Sequence, residues 1–123
     1  MRARVAAAVA LLALLPAPER GADPWDNYDK AFAATALLAL GADWGQTRYV
    51  AKHPEQFYEK NRILGEHPST AKVDRYFVGL AVVGGVIAHY LPSDYRKVFL
   101  VTVTIVEIRA VRGNMGIGVG FAF

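Results

Sequence analysis

The stretch GADWGQTRYVAKHPEQFYEKNRILGEHPS, residues 41–69, follows directly on the apolar run AFAATALLALGA and is crowded with charges and prolines. This abrupt change marks the end of a long apolar helix. Working outward, further apolar blocks lie at residues 1–16, 76–91 and 98–108, with charged segments between them. Alternation on this length scale is typical of a chain that crosses a bilayer rather than of amphipathic helices on a core.

Composition limits the alternatives. The chain of 123 residues has room for one domain, and its 54% apolar residues exceed the roughly 45–50% that is usual. It has no cysteine, so disulfides and thiolate metal sites are excluded. A net charge of +3 without a long basic run gives no indication of nucleic-acid binding. We predict no cofactor and no metal site, because His53 and His67 each precede a proline and are better explained as helix boundaries than as ligands.

The first apolar block resembles a targeting segment. Met1 to Arg4 is positively charged, and the following apolar core, residues 5–15, has the length of a signal-peptide core and is short for a membrane span. Residues 1–22 are therefore predicted to be a cleaved signal peptide or an uncleaved signal anchor. Residues 23–123 form a single polytopic membrane domain in this interpretation.

Helix punctuation predicts three helices in that domain, at about residues 24–51, 70–91 and 94–112. Asp23 and Pro24 suit the start of the first, and the second and third begin at the capping residues Ser69 and Ser93. The third contains VFLVTVTIVE, whose β-branched residues would also suit a buried strand. Capping signals and length favour a helix there.

The predicted fold class is an all-α membrane protein, a small bundle of three transmembrane helices with a signal-like N-terminal segment. Lys and Arg are concentrated in residues 48–75, which predicts a multi-pass protein of the bacterial inner membrane with that loop and the C-terminus cytoplasmic. A soluble protein that buries the same blocks in a core is the alternative. The C-terminal MGIGVGFAF alternates apolar and small residues and predicts a short strand-like tail, as in the closing strand of an outer-membrane β-barrel.

Two sets of residues are candidate functional positions. Asp43 and Glu107 would both lie near the inner edge of the membrane, where a carboxylate must be paired, protonated or hydrated. We predict an inner-edge polar cluster that holds arginines and fixes helix register, or else relays protons, or simply reaches the headgroups; its members are Asp43, Gln46, Thr47, Arg48, Arg75, Glu107 and Arg109. Small residues four apart predict close packing of the first two helices; they are Gly41, Gly45, Ala81, Gly84, Gly85 and Ala88. No catalytic residue is predicted.

Four segments of the sequence are informative together: DWGQT at 43–47, YEKNRILGEHPS at 58–69, VDRYF at 73–77 and the terminal RGNMGIGVGFAF. They resemble segments of a group of small integral membrane proteins of bacteria and their prophages. The resemblance covers roughly residues 40–123 and implies a membrane location without implying an activity. Arg62 stands where the group has proline, which predicts a less rigid turn here.

These observations predict a non-enzymatic structural or accessory protein of the inner membrane. It would act through helix packing in a complex or in self-assembly, with the lipid bilayer and other membrane subunits or copies of itself as partners. A holin-like pore former of prophage type is the first alternative, and a β-barrel-like outer-membrane protein is the second. A membrane enzyme or transporter is less well supported, since neither a nucleophile–base pair nor an internal repeat is evident.

Overall fold

A computed structural model describes residues 22–123, which form a bundle of three helices. Helix α1 spans Asn27–Lys52, α2 spans Thr70–Tyr90 and α3 spans Ser93–Gly116. Helix α1 is central, because α2 and α3 both pack on it and touch each other little. The element order matches the three predicted helices, whereas the membrane part of the prediction fails, as described next.

None of the helices in residues 22–123 is both long enough and apolar enough to cross a membrane. The predictions of three transmembrane helices and of multi-pass inner-membrane localisation are therefore wrong. Charged residues keep the apolar runs short: Asp43 ends the run of α1, and Glu107 lies within that of α3. Helix α2 has Asp74 and Arg75 within its first two turns. The predicted signal peptide or anchor lies almost entirely outside the described residues.

Helix α1 begins at a capping box that lies three residues after the predicted cap. The Asp29 backbone N–H donates to Asp26 Oδ1 at 2.7 Å, and the Asp26 N–H donates to Asp29 Oδ2 at 3.1 Å. This reciprocal arrangement satisfies two backbone donors at once. Asp23, the predicted cap, instead accepts a hydrogen bond from the Ser93 N–H at 2.8 Å. It thus supports the first turn of α3, of which Ser93 is the first residue.

The connection between α1 and α2 is an ordered turn. The Asn61 side chain accepts from the Ile63 N–H, and its backbone carbonyl accepts from Leu64 and Gly65. Gly65 has φ +83°, a left-handed conformation that favours glycine. Leu64 is buried beside Phe77. Ser69 then caps α2, with its Oγ accepting from the Lys72 N–H at 3.1 Å.

Two small apolar clusters make the core, one on each side of the middle of α1. The first joins all three helices and contains Ala36, Ala88, Phe99 and Leu100. The second joins α1, α2 and the turn between them, and it contains Leu40, Leu64, Val73 and Phe77. Trp44 extends the second cluster by stacking on Phe77, with ring centroids 6.0 Å apart.

The C-terminal tail folds back over α1 without forming a strand in the described part of the chain, so the predicted strand-like tail is not found. Gly118 has φ +86° and reverses the chain after α3. The Val119 N–H donates to the Asn114 carbonyl at 3.0 Å, and the Ala122 N–H donates to the Gly45 carbonyl, also at 3.0 Å. Single hydrogen bonds to helix carbonyls replace the ladder that a strand would need.

Candidate functional site: a buried carboxyl pair

Two carboxyl groups meet in the interface between α1 and α3. Asp43 is 1% exposed and Glu107 is 3% exposed. Their side chains lie within hydrogen-bonding reach of each other. Asp43 Oδ2 and Glu107 Oε2 are buried and receive no hydrogen bond from any donor in residues 22–123. Two ionised carboxylates in this position would repel each other, and each would retain an uncompensated oxygen.

A shared proton resolves this conflict. Burial raises the pKa of Glu107 to about 9, and the adjacent Asp43 carboxylate contributes in the same direction. Burial also raises the pKa of Asp43, against hydrogen bonds to Glu107 and Thr47 that lower it. At neutral pH the pair therefore holds one proton, which lets one carboxyl group donate a hydrogen bond to the other. The site binds a proton strongly, and it has no open face for a substrate.

Neighbouring polar groups fix the pair in place. Thr47 Oγ1 donates to the Asp43 backbone carbonyl at 2.8 Å. One turn further along, Gln46 Nε2 donates to the Val111 carbonyl at 3.1 Å, and Asn114 Nδ2 donates to Gln46 Oε1 at 3.0 Å. These bonds join α1 to α3 beside the carboxyl pair. Asn114 was not predicted, although its position seven residues after Glu107 places it on the same helix face.

The predicted cluster is therefore only partly assembled. Asp43, Gln46, Thr47 and Glu107 come together, whereas the three arginines lie elsewhere. Arg48 pairs with Asp74 of α2, and the indole N–H of Trp44 donates to the same carboxylate at 2.8 Å.

Arg75 donates to the Ala71 carbonyl at the surface, and Arg109 is also exposed. Helix geometry explains this separation. At about 100° per residue, Arg48 points about 140° away from Asp43, and Arg109 points about 160° away from Glu107.

The small residues predicted for close packing divide into three groups. Ala88 is buried in the first core cluster, and Ala81 packs against the second. An added Cβ at Gly41, Gly84 or Gly85 would meet nothing within 4 Å, so no backbone approaches closely there. Gly45 faces the C-terminal Phe123 and not α2.

Replacing Gly45 by alanine is expected to displace the C-terminal tail while leaving the helices intact. A Cβ at Gly45 would lie 2.5 Å from Phe123 Cζ, closer than side-chain carbons approach. Phe123 is 85% exposed and can move away at little cost. Carboxypeptidase should remove Phe123 faster from Gly45→Ala, with the free energy of unfolding changed by less than about 1 kcal/mol. Gly41→Ala on the same helix is the control, and equal cleavage rates in the two variants would contradict the expectation.

A second buried polar centre, not predicted from the sequence, holds the opposite end of the bundle. Arg96 is 0% exposed and forms a salt bridge with Asp29 at 3.0 Å. Its guanidinium lies 4.7 Å from the ring centroid of Trp25. The guanidinium also donates to five backbone carbonyls, those of Asp23, Pro24, Ala88, His89 and Leu91.

Arg96 thereby joins the start of α1, the end of α2 and the start of α3. Lys97 adds contacts from Nζ to Asp26 and to Asp29, each at 2.9 Å. The pKa of both Asp26 and Asp29 is lowered. For Asp26 the chief cause is the backbone hydrogen bond from Asp29. For Asp29 burial raises the pKa, but hydrogen bonds, first that from Lys97, more than offset it. The acceptors of the Arg96 guanidinium come from three separate segments, so no local sequence pattern could have indicated this centre.

No group of three or more histidine, aspartate or glutamate side chains in residues 22–123 is arranged to hold a metal ion. The loop residue His53 stacks on Tyr49 and contacts its carbonyl through Nδ1 at 2.8 Å. Comparison with protein-family models, with curated proteins and with solved structures found no match.

Proposed function

We propose that this chain is a structural assembly protein that acts through packing of its helices against further copies of itself. The observation that carries the proposal is the outward surface of α2 and α3, which is apolar where a monomeric bundle would be polar. Valines and isoleucines that are 40–60% exposed cover it; they are Val78, Val82, Val83, Val86, Val98, Val101, Ile105 and Ile108.

Charge distribution supports the same proposal. No Asp, Glu, Lys or Arg occurs between Arg75 and Asp94, or between Lys97 and Glu107. Surfaces of soluble monomers intersperse charges of both signs, which keeps apolar patches small. Charge-free outward faces on two helices are typical of an interface.

An apolar groove between α2 and α3 adds to this surface. Its volume is about 200 Å³, with small residues on the α2 side and larger ones on the α3 side. Ala81, Gly84 and Gly85 line the first side, and Phe99 and Val103 line the second. The outward valines of α2 in a second copy have the size and polarity to fill it. A molecule that carries both this groove and the row of valines that fits it is complementary to a second copy of itself.

Mass measurement tests the proposal. Sedimentation velocity of the purified full chain over a wide concentration range is expected to show association to at least twice the monomer mass of 13.4 kDa. The double variants Val82→Asp/Val86→Asp and Val101→Asp/Ile105→Asp place charges on the outward faces of α2 and α3. At least one should shift the equilibrium to monomer while circular dichroism stays helical. Thr35→Asp, exposed on α1, is the control. A monomer at every concentration would refute self-assembly.

A further inference from the structure

The outward face of α3 carries a regular stripe of exposed residues. Its members recur at alternating spacings of four and three, the pattern of a coiled-coil seam. They are Asp94, Val98, Val101, Ile105, Ile108 and Arg112, all of them exposed. The stripe lies opposite the buried face of the helix, on which Phe99, Leu100 and Glu107 contact the bundle. It is therefore unused within the monomer.

Apolar side chains at equal distances from the centre of the stripe are similar in size, and the side chains at its two ends carry opposite charges. Val101 and Ile105 are equidistant from the midpoint at Val103, and so are Val98 and Ile108. At the two ends, at equal distance from the same midpoint, stand the acidic Asp94 and the basic Arg112. A second copy of the stripe laid antiparallel on the first therefore brings apolar residues onto apolar residues and opposite charges together.

We propose that two copies of this chain pair through α3 in an antiparallel arrangement centred on Val103. Val101 packs against Ile105 of the partner subunit, and Val98 packs against Ile108 of the partner subunit. Asp94 pairs with Arg112 of the partner subunit at each end. This inference rests on the proposed self-assembly and specifies one interface for it, separate from the groove between α2 and α3. The interface is isologous, as expected for a two-fold dimer.

Charge disfavours the parallel arrangement of the same stripe. Parallel pairing would place Asp94 beside Asp94 of the partner subunit and Arg112 beside Arg112 of the partner subunit, so like charges would meet at both ends. Lys97 does not disturb the antiparallel register, because its ammonium group is held by Asp26 and Asp29 on the α1 side. The outward face of α2 has the basic Arg75 at one end and no acidic residue at the other, so it lacks this complementarity.

Disulfide trapping tests the register directly, since the chain has no cysteine of its own. Val98→Cys and Ile108→Cys are prepared separately, mixed and oxidised mildly. Antiparallel pairing predicts a mixed disulfide between the two variants and little disulfide in either variant alone. The Cα atoms of residue 98 in the two subunits would lie at least about 15 Å apart, which a disulfide cannot bridge. Efficient disulfide formation by Val98→Cys alone would establish the parallel arrangement and overturn the proposal.

Charge reversal provides a second test. Asp94→Arg or Arg112→Asp alone is expected to weaken dimerisation about tenfold, since both end pairs become repulsive. The double variant Asp94→Arg/Arg112→Asp restores opposite charges and should recover most of the wild-type affinity. Lys60→Asp, in the exposed loop, changes the net charge by the same amount as Arg112→Asp and is the control. Circular dichroism verifies that each variant remains helical.

The outcomes separate this inference from the proposed function. Mixed disulfide formation together with rescue by the double charge reversal supports the α3 interface. Association in sedimentation with no mixed disulfide and no effect of either single reversal overturns the α3 interface and leaves self-assembly through another face. A monomer at every concentration overturns both.

Discussion

Replacement of Arg96 by leucine is expected to lower the free energy of unfolding by about 3–5 kcal/mol, the usual cost of removing one partner from a buried ion pair. Leucine has similar bulk but no donor, so it leaves five backbone carbonyls without the guanidinium that satisfies them. Asp29, which is 0% exposed, would retain Lys97 as its cationic partner. Urea unfolding followed by circular dichroism measures the loss.

Two controls determine the cause of that loss. Arg96→Lys keeps the charge but has three donors in place of the planar fork, so most of the destabilisation should remain. Arg48→Leu removes the other arginine that bridges two helices, yet Arg48 and Asp74 are partly exposed and the expected loss is about 1 kcal/mol or less. Equal destabilisation by Arg96→Leu and Arg48→Leu would show that burial and the carbonyl contacts of Arg96 do not matter.

The second large effect is a dependence of stability on pH with the opposite sign to ordinary acid denaturation. The folded-state pKa of Glu107, about 9, is above its ordinary value of 4.5. Between these values the folded protein holds a proton that the unfolded chain has released. Stability contributed by this proton is complete below about pH 4.5 and is lost as the pH rises toward 9. The expected slope is about 1.4 kcal/mol per pH unit.

Glu107→Gln is the decisive variant for this prediction. Its amide donates permanently to Asp43, so the pH dependence between 4.5 and 9 should flatten and the variant should be more stable than the wild type at pH 9. Glu66→Gln changes an exposed loop carboxylate and is the control. Urea unfolding at a series of pH values provides the comparison. A wild-type stability that rises or stays level from pH 5 to 9 would refute the shared proton.

Other carboxylates act in the opposite direction at lower pH. The pKa of Asp74 is lowered chiefly by its hydrogen bond from Arg48, and the pKa values of Asp26 and Asp29 are lowered by the contacts described above. Their contribution is present above the ordinary value of 3.8 and is lost as the pH falls below it. The two effects together place the pH of greatest stability in the mildly acidic range.

The polar cluster illustrates how far local sequence reasoning reaches. Asp43 and Thr47 are four residues apart on one helix, so the sequence correctly places them on one face. Pairing Glu107 with Asp43 required the register of α3 against α1, which the sequence approximated only by placing both residues at a similar depth along helices that were wrongly taken to span a membrane. The arginines were misassigned, because a similar depth along the helices was taken for a shared face. Helix rotation directs Arg48 toward Asp74 instead.

By itself, the sequence determined the number, order and approximate limits of the helices, because caps and breaks such as Ser69 and Leu91-Pro92 act over a few residues. Tertiary structure alone decided which residues of the apolar blocks are buried and which are exposed. An apolar run has the same composition whether it contacts lipid, a protein core or a second copy, so composition cannot distinguish these cases. Only the fold shows that α2 contacts the bundle on one side and is exposed on the other. The tertiary structure also decided that Arg96 and the Asp43–Glu107 pair are buried, since burial depends on segments distant in the chain that converge only when the helices pack.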